Sequence, residues 1–276
     1  MKVVIFCGGL GVRMGDATQA IPKPMIPVGQ RPILWHIMKW YASWGHTDFV
    51  LCLGYRAEKV KEYFLSYDEA ISNDFVLDGG RKRVQLLGHD MEDWRITFVD
   101  TGVQTSIGER LRRIQSHIGD DEMFLATYGD GLTDVPLDDM VGRLEETGKT
   151  ALFVSVRPHV EYHMVRAAND GIVTSVERMA EADVWINGGF FVFRRTIFDA
   201  IRPDEDLVAE PFSRLIRDGE LLAFRHEGFW APMDTIKDKQ RLDLMLEGGG
   251  APWQVGGGRF GARRASARMR RRVEVA

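Results

Sequence analysis

Met1-Lys2-Val3-Val4-Ile5-Phe6-Cys7-Gly8-Gly9-Leu10-Gly11-Val12-Arg13-Met14-Gly15 opens the chain, and an apolar run of strand length passes there straight into a glycine-rich turn. The run reads as one strand of a parallel sheet covered on both faces. Glycines after such a strand let backbone amides approach and cradle a polyphosphate. The stretch is not a Walker loop, because G-x-x-x-x-G-K-[ST] is absent, and no acidic residue closes the first βαβ unit as a dinucleotide fingerprint requires. Taken alone, a glycine-rich turn is also an ordinary tight loop.

Outward from this stretch, apolar runs of strand length recur at Phe49 to Leu53, Ile96 to Val99, Met123 to Thr127 and Ala151 to Val156. Helical patterns lie between them. Strand–helix alternation predicts right-handed crossovers and an α/β, Rossmann-like, mostly parallel mixed sheet flanked by helices. Pro32 to Tyr41 opens with a proline suited to a first helical position and carries Ile33, Ile37 and Tyr41 on one face, which predicts a core-facing helix stopping near Gly45. Further helices are expected at Arg56 to Leu65 and Gly108 to Ile118. Asn169-Asp170-Gly171, between two apolar stretches of Met164 to Arg178, predicts a β-hairpin insertion that brings antiparallel structure to the sheet.

The 276 residues are 45% hydrophobic and 28% charged, enough to bury one large core. Arg259 to Ala276 holds seven Arg against one Glu, so this tail carries +6 of a formal net charge of −4 and leaves −10 on the body. An acidic body argues against nucleic-acid binding. Residues 1–253 are read as one domain and 254–276 as a Gly/Arg-rich tail, expected to be disordered. Cys7 and Cys52 sit inside apolar runs without metal-ligand spacing and are expected to be buried thiols. No pair among the seven histidines shows zinc spacing, and His36 and His226 are expected to be structural. The apolar opening is cut by Gly8-Gly9 before any cleavage site, and no apolar run reaches transmembrane length, so no membrane association and a cytoplasmic location are expected.

Three short stretches carry candidate chemistry. Pro22-Lys23-Pro24-Met25 holds a lysine between two prolines, where backbone freedom is small and the ammonium direction restricted, as charge stabilisation near a polyphosphate needs. Tyr128-Gly129-Asp130-Gly131 follows an apolar strand, placing Asp130 at the carboxyl end of a sheet strand, where α/β sheets bind ligands and where a carboxylate can hold a hard cation. Asp234, in Trp230-Ala231-Pro232-Met233-Asp234-Thr235, precedes a helical segment and reads either as a helix N-cap or as a second ligand of one Mg2+ ion. Phe190, Phe191, Phe193 and the Trp230 region read as core.

Together, Gly8-Gly9-Leu10-Gly11-Val12-Arg13, Pro22-Lys23-Pro24-Met25, Tyr128-Gly129-Asp130-Gly131, Ile186-Asn187-Gly188-Gly189-Phe190-Phe191 and Pro232-Met233-Asp234-Thr235 resemble the sugar-phosphate nucleotidyltransferases. Within that superfamily the pattern is most similar to the bacterial glucose-1-phosphate cytidylyltransferases, from Met1 to about Trp253. The resemblance implies CTP and a sugar 1-phosphate or related small phosphorylated substrate, Mg2+ on Asp130 and Asp234, and a homo-oligomer. It implies that Gly8, Gly9, Leu10, Gly11, Val12, Arg13, Lys23, Glu109 and Gly129 meet the nucleotide, with Arg13 and Lys23 on its phosphates. It further implies that Met164, Glu177, Arg178 and Asn187 meet the acceptor.

The chain departs from the family pattern in four places. Val12 stands where a Thr is usual, Glu177-Arg178-Met179 where Glu-Lys-Pro is usual, His163-Met164-Val165-Arg166 where Phe-Gly-Ala is usual, and Gly108-Glu109-Arg110 where Gly-Gly-Arg is usual. Arg178 keeps the charge of the missing lysine but carries a longer planar fork. Open alternatives are a thymidylyl- or uridylyltransferase of the same fold and a catalytically silent nucleotide- or sugar-phosphate-binding protein.

Overall fold

A computed structural model of the chain describes residues 1–9, 21–80, 83–91, 93–158, 162–179 and 183–254. Leu10, Gly11, Val12 and Arg13 of the expected phosphate loop lie outside the described residues, as does 255–276 of the expected tail. In chain order the elements are β1 (Lys2–Phe6), β2 (Pro27–Val28), β3 (Arg31–Pro32), α1 (Ile33–Ser43), β4 (Asp48–Leu53), α2 (Ala57–Leu65), α3 (Glu69–Ser72), β5 (Phe75–Asp78), β6 (Arg83–Leu86) and β7 (Arg95–Asp100). There follow α4 (Ile107–Arg113), α5 (Gln115–Ile118), β8 (Met123–Tyr128), β9 (Gly131–Thr133), α6 (Leu137–Thr147), β10 (Ala151–Val156), β11 (His163–Ala167), β12 (Val173–Arg178), β13 (Ile186–Arg194), α7 (Glu210–Asp218), β14 (Leu221–His226), β15 (Trp230–Pro232) and α8 (Ile236–Glu247).

Seven strands form the main sheet in the order β14-β10-β13-β8-β1-β4-β7. Pairing is parallel between β1 and β4, β1 and β8, β4 and β7, and β10 and β14. β13 alone runs antiparallel, inserted between β8 and β10. The expected mostly parallel mixed sheet is therefore present. The antiparallel component is not the Asn169-Asp170-Gly171 hairpin, however: β11 and β12 pair only with each other, in a two-stranded sheet of their own. Residues 108–118 also differ from expectation, being broken at Ile114 into α4 and α5.

The core lies on both faces of the sheet, as the doubly apolar central strands require. Val3 and Ile5 pack on one side with Ile33, Ile37 and Tyr41 of α1, while Val4 and Phe6 pack on the other with Leu111 of α4. Cys7 and Cys52 are buried free thiols, and burial raises both thiol pKa values, Cys52 to about 12.

Beyond α8 the chain returns to the body through Trp253, which is 2% exposed. Its indole Nε1 donates to His36 Nδ1 at 3.4 Å, and His36 Nε2 donates in turn to the Val28 carbonyl at 2.9 Å. A neutral imidazole protonated on Nε2 satisfies both bonds, and burial lowers the His36 pKa accordingly. Trp253→Ala is expected to lower the unfolding free energy by about 3–5 kcal/mol, the usual cost of emptying a buried tryptophan site. Urea denaturation measures it, and a loss under about 1 kcal/mol would mean the segment does not dock as described.

Candidate active site

The site assembles at the carboxyl ends of β8 and β1, where ligands bind in open α/β sheets. Asp130 follows β8, and β9 then pairs antiparallel with β15, with Gly131 opposite Pro232. That register sets Asp130 beside Met233, whose amide donates to the Asp130 carbonyl at 2.8 Å, and brings the next residue, Asp234, to the same place. Asp234 is not the N-cap of α8. Thr235 fills that position in a capping box with Asp238, and the Asp234 carboxylate faces Lys23 instead.

Facing both carboxylates is Lys23, in a 3-10 turn over Lys23–Met25 entered from an extended Pro22. Its ammonium donates to Asp130 Oδ2 at 2.6 Å and to Asp234 Oδ1 at 2.6 Å. Burial by itself lowers the Lys23 pKa, but the attraction and hydrogen bonds of Asp130 and Asp234 outweigh it and the net shift is upward. Lys23 is therefore an ammonium at neutral pH. The backbone of Gly129, whose amide donates to the Phe6 carbonyl at 3.1 Å, holds this loop against the end of β1.

A cavity of about 320 Å³ opens beside the two aspartates, and Thr127 and Tyr128 of β8, Asn187, Gly188 and Phe190 of β13, and Trp230 of β15 line it. Its size is that of a small-ligand pocket. β13 bends here through two successive left-handed residues, Gly189 (φ 74°) and Phe190 (φ 50°). A bulky residue at positive φ is strained, and such strain persists only where packing over-determines it. Phe190 is 2% exposed and packs edge-on to Trp40 at 5.4 Å. The bend lets Asn187 Oδ1 accept from the Gly189 amide at 2.9 Å and the Gly188 carbonyl accept from Trp230 Nε1 at 2.7 Å. Trp230, read as core from the sequence, is only half-buried and faces the cavity. Burial, then the nearby Asp206 and Asp130 carboxylates, push the Tyr128 phenol up to about 12, so it stays protonated.

A second cation holds the chain where it leaves β1 at Gly8. Arg110 is 2% exposed, and among the described residues no carboxylate pairs with it. Its guanidinium instead donates to the carbonyls of Gly8 (3.1 Å), Leu53 (3.2 Å) and Val103 (3.1 Å) and to Thr101 Oγ1 (2.7 Å). It so ties together the chain leaving β1, β4 and β7. A Cβ on Gly8 would stand 1.9 Å from Arg110 Nη1, so any side chain there must push the guanidinium away from the carbonyls it holds.

The structure thus brings Lys23, Gly129, Asp130, Asn187 and Asp234 together, with Gly8 on Arg110 and Gly9 exposed beyond it. It does not bring Glu109 to the cavity. The Glu109 carboxylate is occupied by Arg112 at 2.6 Å and Arg113 at 2.8 Å and accepts from the Asp204 amide, bonds that hold its pKa at about 2. Met164, Glu177 and Arg178 lie on the β11–β12 hairpin, Met164 opposite Glu177, and do not line the cavity.

Two hard carboxylate oxygens within 2.6 Å of one nitrogen converge on a point that already carries positive charge. That donor set fits a divalent cation of the oxygen-preferring kind, with the cavity beside it open to water and phosphate ligands. Among the described residues no group of three or more His, Cys, Asp or Glu side chains is arranged to hold a metal.

The family model for nucleotidyl transferases matches residues 2–238. The chain belongs to the nucleotidyl transferase family. It is 40% identical over 261 residues to the glucose-1-phosphate cytidylyltransferase of Salmonella typhimurium, covering 92% of this chain and 99% of that one. It is 26% identical to the mannose-1-phosphate guanyltransferase of Gibberella zeae, over 86% of this chain and 62% of that one. A solved UDP-glucose pyrophosphorylase of Acinetobacter baumannii, with UTP bound, superposes with a TM-score of 0.65 at 18% identity, over 89% of this chain and 92% of that one. That likeness is one of fold. As a nucleotidyltransferase the chain takes a nucleotide and a sugar phosphate as substrates.

Gly8→Ala is expected to cost about 2–3 kcal/mol of stability by driving a methyl group into the guanidinium. Arg110→Ala makes room for that methyl group. The double variant should therefore be more stable than the two single losses predict, by about 1 kcal/mol or more in a denaturation cycle. Strict additivity would refute the contact.

Proposed function

We propose that the protein is a cytidylyltransferase that joins CTP to glucose 1-phosphate, or to a related sugar 1-phosphate, giving a CDP-sugar and pyrophosphate. The observation that carries the reading is the convergence of Lys23, Asp130 and Asp234 beside an open cavity, in a chain 40% identical along almost its whole length to a glucose-1-phosphate cytidylyltransferase. We assign Mg2+ to Asp130 and Asp234, where it would supply charge neutralisation for the α-phosphate and the departing pyrophosphate. The turn from Gly8 to Val12 would wrap the triphosphate with its amides, and Arg13 and Lys23 would meet the phosphates as fixed positive charges.

Phosphoryl-type transfer asks mainly for positioning and charge stabilisation. An acceptor phosphate is already an anion near neutral pH and needs no protein base. Its oxygen attacks the α-phosphorus in line, and the bond from that phosphorus to the bridging oxygen breaks. Tyr128, held as a phenol, and Asn187 offer hydrogen bonds to a sugar in the cavity, and Phe190 and Trp230 exclude water from its other sides. Glu177 and Arg178 are assigned to the acceptor on the resemblance, with Met164 beside them. For Glu109 the structure supports a different part, the ordering of Arg112, Arg113 and the Asp204 turn.

No helix among the described residues is long and apolar enough to cross a membrane. We place the reaction in the cytoplasm, where CTP is available, with residues 1–253 as the catalytic unit and 254–276 as an appended tail. We also assign the protein to a homo-oligomer. Phe75, Leu77 and Val84 share one exposed face of the β5–β6 hairpin, and an isolated two-stranded hairpin is marginal in water.

Pyrophosphate release, measured with Mg2+, each of CTP, UTP, dTTP, ATP and GTP, and a panel of sugar 1-phosphates, tests the reading. CTP with glucose 1-phosphate or one near relative should give the highest kcat/KM, and Asp130→Ala or Asp234→Ala should lower it on the order of 100-fold or more. Preference for another base would move the protein to a different nucleotidyltransferase. Full activity in either variant would remove the metal assignment.

A further inference from the structure

Lys23 and a divalent cation have a claim on the same two oxygens. The ammonium stands 2.6 Å from Asp130 Oδ2 and 2.6 Å from Asp234 Oδ1. A magnesium-sized ion binds carboxylate oxygens at about 2.0–2.1 Å. If both cations kept both oxygens they would stand no more than about 5 Å apart in a partly buried site, where like charges repel strongly. Mutual repulsion therefore favours one cation leaving these oxygens as the other takes them. Lys23 is 7% exposed, and Pro22 and Pro24 fix the backbone on either side, so departure is a rotation of the side chain alone. An ammonium turned out of the carboxylates needs another anion, because a buried unpaired charge is costly.

We propose that Lys23 is an internal stand-in for the divalent cation. Its ammonium holds Asp130 and Asp234 together until a divalent ion takes them, and it then turns to the triphosphate that arrives with the ion. Two consequences follow from charge alone. A divalent ion without nucleotide must displace Lys23 with no anion to receive it, and so binds weakly. An ion accompanied by triphosphate binds well, because the displaced ammonium gains a partner, which makes ion and nucleotide binding mutually reinforcing. The inference rests on Asp130 and Asp234 being divalent-cation ligands. It does not depend on which base or sugar the protein uses.

Mn2+ titration of the full chain, followed by the electron paramagnetic resonance signal of the free ion and without nucleotide or acceptor, tests it. Lys23→Met should bind Mn2+ on the order of 10-fold more tightly than the unaltered protein. Lys23→Gln removes the charge while keeping a hydrogen-bond donor for the carboxylates, and should shift affinity in the same direction even where Lys23→Met folds poorly. Asp130→Asn placed on Lys23→Gln should abolish the gain, which locates the ion between the two carboxylates. A non-hydrolysable CTP analogue should raise Mn2+ affinity more in the unaltered protein than in Lys23→Gln. Equal or weaker Mn2+ binding in both lysine variants would overturn the exchange, as would a gain that survives Asp130→Asn. If the unaltered protein and the lysine variants all bind no Mn2+, the metal assignment falls and the exchange with it. A failed pyrophosphate assay beside a positive titration would instead overturn only the choice of base or acceptor.

Discussion

Three charges drawn from residues 23, 130 and 234 meet within hydrogen-bond distance, and the local structure around the cavity is arranged so that they can. Among the described residues, these two carboxylates and one ammonium sum to −1 in a partly buried place. A buried pair is weak evidence for stability, because desolvating the charges offsets most of their attraction. The cluster is better understood as a requirement than as a source of stability. A proline on each side of Lys23 limits the directions its side chain can take, the β9–β15 register sets Asp234 beside Asp130, and the capping box at Thr235 relieves Asp234 of any duty to α8. Each device places a charge without using that charge to cap a helix or close a turn.

Arg110 works in the opposite sense, since its charge is spent on the fold. Carbonyls collect at the carboxyl ends of parallel strands, where Leu53 already accepts from the Thr101 amide and hydroxyl and Gly8, with a second lone pair to fill, from the Tyr55 amide. One planar guanidinium with five donors answers several of them at once, those of Gly8, Leu53 and Val103. Lysine could not do this, because it offers a point charge and no fork. Burial lowers the Arg110 pKa, yet an arginine remains charged, so positive potential also persists where the chain leaves β1.

The sheet was legible in the sequence because strands buried on both faces must be apolar throughout, and five of its seven strands read so directly. β13 also has an apolar run, Phe190 to Phe193, but its direction was not legible. Nothing local distinguishes an antiparallel strand from a parallel one when both are wholly buried. The Asn169-Asp170-Gly171 turn was read correctly as a hairpin, yet its pairing with the main sheet was inferred only from proximity in sequence. Lys23, Asp130 and Asp234 could be singled out because prolines and glycines around them marked constrained loops. Whether Asp234 capped α8 depended on a competition with Thr235, and Thr235 won by having Asp238 three residues on to complete a capping box. Arg110 gave no such signal. A buried arginine without a carboxylate looks, in sequence, like any arginine on an amphipathic helix, and its neighbour Glu109 drew attention instead.

Two of the four departures from the family pattern share one structural setting. Met164 and Arg178 fall on β11 and β12, which pair only with each other and whose side chains are mostly exposed. Substitution there disturbs no packed core and no ladder of the main sheet, so it is cheap in stability. Lys23, Asp130 and Asp234 lie where the main sheet and the β9–β15 pair meet, and losing Lys23 would leave two partly buried carboxylates facing each other. Two of the four departures thus lie on the β11–β12 hairpin, while Val12 and Glu109 lie among the residues expected at the nucleotide. The hairpin can therefore change in sequence without disturbing the contacts of Lys23 with Asp130 and Asp234.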